Sequence, residues 1–128
     1  MNKSMYLLII FFLGLYTTEA QETLEINTDN LSKKWELVDI INPDRTEEEL
    51  KEMLSFLEGT TMLLNKDFTS VFSFVQDLEG TWSLNSNVIS IKNKRGETLW
   101  TIHDLQSKQI TLSRNTSKQK LVFKSVKK

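Results

Sequence analysis

His103 is the only histidine in the 128 residues, and no cysteine accompanies it. Zinc sites combine several His, Cys or carboxylate ligands, so one imidazole without thiolates predicts no such site. The lack of cysteine also excludes disulfides and a thiol nucleophile. His103 lies in an alternating stretch beside Thr101 and Asp104, where a wall residue is expected rather than a proton carrier. Serines occur without a G-x-S-x-G elbow. The 4 glycines form neither a G-x-G-x-x-G fingerprint nor a phosphate loop. Glu47, Glu48 and Glu49 cluster, but at a helix start and without calcium-loop spacing. A carboxylate pair of the glycosidase kind meets only in space, so the sequence leaves it open. Asn115-Thr116-Ser117 matches the N-glycosylation pattern and marks a surface turn. No catalytic residue, metal or cofactor is expected, and the chain does not read as an enzyme.

The residue types that remain are apolar and aromatic, spaced at period two. Phe68, Phe72 and Phe74 share a side of one stretch, with Ser70 in the gap. Trp82 with Leu84, Ile89 with Ile91, Trp100 with Ile102, Ile110 with Leu112, and Leu121 with Phe123 repeat the pattern. The alternate positions carry Thr81, Ser83, Ser90, Thr101, Thr111 and Ser113. One apolar and one polar face is the signature of an antiparallel wall. The apolar face either fills a core or lines a pocket for a small apolar ligand. In the second case the lining is expected from Phe72, Phe74, Trp100, Ile102 and Leu112, with Met53 and Leu57 as a lid. Val38, Ile40, Val122 and Val126 fall on the other face and are expected outside, under a helix.

These residues need a scaffold. Lys34 to Ile41 reads as a first strand, stopped at Asn42-Pro43 by the only proline. One helix follows over 46–57. Thr46 and Glu49 have capping-box spacing, and Leu50, Met53, Leu54 and Leu57 form one stripe. Gly59 is its natural stop. Strands are then expected at Thr60–Leu64, Phe68–Val75, Gly80–Leu84, Val88–Lys92, Glu97–Leu105, Gln109–Arg114 and Lys120–Val126. The gaps are short, including one at Gln76–Glu79, and short links force antiparallel neighbours. A flat meander of eight strands would expose two edges, and closure removes both. The expected fold is therefore all-β: an eight-stranded antiparallel up-and-down barrel with one short helix between the first two strands.

The chain also carries an address. Met1–Ser4 holds one Lys, Met5–Tyr16 is an apolar run, and Thr18-Glu19-Ala20 sets small residues before a cut after Ala20. That is the layout of a secretory signal peptide over 1–20, with an extended segment at 21–33 and the barrel domain at 34–128. The mature protein is expected to be periplasmic or secreted, with no stable membrane insertion. Charge is uneven. Residues 21–90 hold 5 Lys/Arg and 14 Asp/Glu, a net −9, and residues 91–128 hold 10 and 2, a net +8. The two halves face each other, line separate solvated faces, or mark a docking face around Lys118, Lys120, Lys124, Lys127 and Lys128. Aromatics are sparse in the basic half, so nucleic acid is not expected.

Five segments carry a family resemblance: Leu31–Leu37 (LSKKWEL), Leu64–Thr69 (LNKDFT), Gly80–Leu84 (GTWSL), Val88–Ile91 and Leu121–Lys124. The chain resembles the small exported lipocalin-like proteins of Bacteroidetes type over about residues 31–126. That resemblance implies a carrier role for a small apolar molecule. It makes Trp35, Gly80 and Trp82 structural motif positions, with Lys124 as the basic residue packed over Trp35. Lys33 stands where the family has its first glycine. The alternative is a solid barrel that docks an unidentified protein through its acidic or basic face.

Overall fold

The computed structural model describes residues 22–127, so the expected signal peptide and its cut lie outside the described residues. A helical turn α1 (Thr28–Leu31) precedes β1 (Lys34–Ile41) and the helix α2 (Glu47–Phe56). Then follow β2 (Thr61–Leu64), β3 (Thr69–Phe74), β4 (Gln76–Asn85), β5 (Val88–Asn93), β6 (Gly96–Leu105), β7 (Gln109–Arg114) and β8 (Lys120–Val126). Each strand pairs antiparallel with the next, and β8 returns to β1, giving a closed eight-strand barrel. Closure satisfies the backbone groups that an open meander would leave at its edges.

Alternation sets which side chains point in, because directly opposed residues share a face. Trp35 opposes Met62, Trp82 opposes Ile91, and Ile102 opposes Leu112, and all six are buried. Two bulges change the count. The register shifts between Leu37 and Asp39 on β1 and between Ile102 and Asp104 on β6. An extra residue lets inward positions fall three apart. Ile102 and Leu105 are thus both buried, and His103 is left exposed with Nε2 at 2.7 Å from Ser113 Oγ. On β1 the bulge turns Ile40 to the side of its partner Leu121, not to the outer face expected for it. Val122 and Val126 do face out, opposite Asp39 and Lys34. Val38 borders the groove beneath α2.

Two boundaries differ from expectation. Gln76–Glu79 is not a turn: β4 begins at Gln76, and Leu78 packs inward opposite Phe72. The reversal uses Val75 alone, with φ 65 between the paired Phe74 and Gln76. The segment expected to be extended at 21–33 contains α1, with Asn27 accepting the Asn30 N–H as its cap. Leu31 is fully buried, Thr23 bridges Gln106, and the Leu24 N–H donates to the Leu105 carbonyl. This segment closes one end of the barrel because its apolar residues Leu24, Ile26 and Leu31 join the core.

Helix α2 sits toward the other end. Thr46 Oγ1 accepts from the Glu49 N–H and the Glu49 carboxylate accepts from the Thr46 N–H, the capping box read from spacing. The hydrogen bond from the Thr46 N–H, and then that from Arg45, hold the Glu49 carboxyl below its ordinary range. Leu54 and Leu57 touch the core, yet no residue of α2 is fully buried. The helix lies on the barrel rim and does not enter it.

Candidate functional site

The two ends of the barrel are built differently. At the α1 end the interior is packed. Trp35 is fully buried, and its Nε1 donates to the Leu31 carbonyl at 3.1 Å. Lys33 Nζ lies 5.4 Å from the Trp35 ring centroid and donates to the Ser107 carbonyl at 2.8 Å. Desolvation there lowers the Lys33 ammonium from its ordinary value. Lys33 is the cation over Trp35. Lys124 is exposed and opposes Glu36 and Gln109 on the outer face, so it does not pack over Trp35. Odd-numbered Phe123 points in, and strict alternation sends its neighbour out.

Gly80 and Trp82 are structural. A Cβ on Gly80 would run into the Lys92 carbonyl oxygen, so β4 and β5 approach there only because no side chain intervenes. Trp82 Nε1 donates to the Asn65 carbonyl at 2.8 Å, and Phe68 packs on its ring with centroids 5.3 Å apart. Phe68 sits in a turn with φ 67 and is exposed, so it leaves the stripe of Phe72 and Phe74.

At the α2 end the interior opens. Phe72 lies nearly parallel to Trp100 with centroids 6.2 Å apart, and Phe123 meets Trp100 edge-on at 6.3 Å. Above these three rings lies a cavity of about 610 Å³, walled by Leu37, Leu57, Leu121 and Phe74 and rimmed by Thr60 and the β7–β8 turn. A second cavity of about 250 Å³ shares Phe72, Phe74, Trp100 and Arg114 and runs toward Leu78, Ile91 and the β5–β6 turn. The larger volume lies within the usual range for a small-molecule site, about 300–1,000 Å³.

Among the residues expected to line a pocket, Phe72, Phe74, Trp100 and Leu57 do so. Ile102 and Leu112 do not. They lie below the aromatic floor in the packed half and are buried. Met53 faces an outer groove with Phe56, so only Leu57 of the two helix residues covers the cavity. Phe56 is 77% exposed and leans on Phe74 at 5.9 Å. Leu37, Leu121 and Phe123 line the cavity without having been singled out for it. So does Arg114, whose parity with Ile110 and Leu112 was the legible sign of an inward position.

The acidic and basic halves are not joined by ion pairs among the described residues. The two pairs present, Arg45–Glu49 and Lys92–Glu97, each stay within one half and are solvent-exposed. No group of metal-ligating side chains occurs among the described residues.

No family model and no curated protein matches the chain. A solved structure does: a DUF4847 family protein from Bacteroides vulgatus, 18% identical, with a TM-score of 0.55. The match covers 76% of this chain and 94% of that one. At that identity the likeness concerns the fold.

Proposed function

We propose that this protein is an exported, lipocalin-like binding protein that holds a small hydrophobic ligand in the open half of its barrel. The observation that carries the reading is the cavity of about 610 Å³ over the Phe72–Trp100–Phe123 floor. A barrel of this strand number is just wide enough for side chains to fill it or for one small ligand. Here the side chains fill one end only. The protein acts by binding and release, without chemistry on the ligand, and works in the periplasm or outside the cell. The 12-residue apolar run before Ala20 supports that destination.

The test uses tryptophan fluorescence. Trp100 lines the cavity, and Trp35 and Trp82 do not. Titration with alkyl probes is expected to give a saturable change in emission that Trp100→Phe abolishes and Trp35 and Trp82 do not supply. Absence of any saturable response across the probes, with the cavity occupied by side chains in a crystal, overturns the reading in favour of a solid docking module.

A further inference from the structure

Among the described residues, the larger cavity has one charged residue on its wall, and that residue is a cation. Arg114 directly opposes Trp100 across the β6–β7 ladder, so its side chain leaves the sheet on the cavity side. It lines both cavities at their junction. It has no ion pair and no side-chain hydrogen bond among the described residues, unlike the rim carboxylate Glu97, which is engaged by Ser90 and Lys92. The element that carries Arg114 is fixed. Its carbonyl accepts the Ser117 N–H at 3.0 Å, and Asn115 exchanges hydrogen bonds with the Leu99 backbone at 2.6 and 3.1 Å. Arg95, on the β5–β6 turn, lines the smaller cavity from the facing side and is likewise without an ion pair among the described residues.

Apolar walls below and an unengaged guanidinium on a fixed backbone at the mouth match a molecule with the same division. We propose that the cavity takes an anionic amphiphile, its alkyl portion on the Phe72–Trp100–Phe123 floor and its acidic head group on Arg114. Guanidinium binds planar and tetrahedral oxyanions through paired N–H donors, so carboxylate and phosphate heads share this chemistry. Among the described residues, the wall of the larger cavity offers no Asp or Glu to repel them. This assignment rests on the carrier reading and adds to it the class of ligand.

The experiment compares dodecanoate, dodecyl phosphate, dodecanol and dodecylamine on the full mature protein and on Arg114→Gln. Arg114 is exposed, so its substitution leaves the core intact. The anions are expected to bind about ten-fold tighter than the alcohol, the scale of a charge-assisted hydrogen-bonded contact. In Arg114→Gln that advantage is lost and alcohol affinity is retained. Lowering the pH through the carboxyl range weakens dodecanoate and spares dodecyl phosphate, whose first ionisation persists, so the two head groups are told apart. Equal binding of anion, alcohol and amine, unchanged in Arg114→Gln, overturns the ligand class and leaves the carrier reading standing. Absence of binding by all four probes overturns both.

Discussion

Replacing Val75 with glycine is expected to stabilise the protein. Val75 alone reverses the chain between β3 and β4, and it does so at φ 65. For a residue with a Cβ that left-handed region costs roughly 1–2 kcal/mol, and a β-branched side chain belongs at the upper end of the range. The side chain gives nothing back, since the residue is 96% exposed. Glycine removes the clash but loses more chain entropy on folding, by roughly 0.5–1 kcal/mol. The net gain for Val75→Gly is therefore about 1–1.5 kcal/mol. Val75→Ala keeps a Cβ and relieves only the branch, so it falls between. Urea unfolding followed by tryptophan emission measures the series, with the midpoint rising as Val, Ala, Gly at unchanged slope. A midpoint for Val75→Gly at or below that of the parent refutes the strain argument.

Three further outcomes follow from packing and capping. Gly80→Ala places a Cβ against the Lys92 carbonyl and is expected to cost about 3 kcal/mol in urea unfolding, the upper range for overpacking; a loss below the error of the measurement contradicts the tight β4–β5 approach. Ser70 is 2% exposed, and its hydroxyl has no hydrogen-bond partner among the described residues, so Ser70→Ala is expected to gain about 1 kcal/mol by the same assay. A loss of stability on that change would mean that the hydroxyl is satisfied. Thr46→Ala removes the cap of α2 and is expected to cost the helix about 1 kcal/mol, read as faster hydrogen exchange at the Glu49 amide. Because the folded state holds the Glu49 carboxyl below its ordinary range, its contribution is complete above that range and is lost as pH falls through the depressed value. Glu49→Gln is expected to flatten this acid-side change in helix exchange, and an unaltered pH profile would contradict the linkage.

Much of the fold was legible because its signals are local. Period-two alternation from β2 to β8, turn-forming gaps too short for crossovers, and the Thr46–Glu49 spacing each act within a few residues, and they match the structure except at Gln76–Glu79, which is strand, and at the β6 bulge. Antiparallel order and the demand for closure follow from those links alone. The cavity was legible only in part. Alternation states that Phe72, Trp100, Ile102 and Leu112 face inward, and they do. It does not say which inward residues meet a partner from the opposite wall.

The amino-acid sequence by itself determined most of the strand spans, the capped helix and the inward identity of the rings other than Phe68. Only the tertiary structure decided that one end of the barrel is plugged and the other open. The plug is assembled from Leu24, Ile26 and Leu31, far in sequence from Leu105, and from a lysine that reaches Trp35 from its own end of β1. Bulges at Val38 and His103 then shift later residues between faces, an insertion that no repeating period announces. A face is assigned by neighbours along the chain. Whether it is packed or open depends on what crosses from the far wall, and that is set by closure.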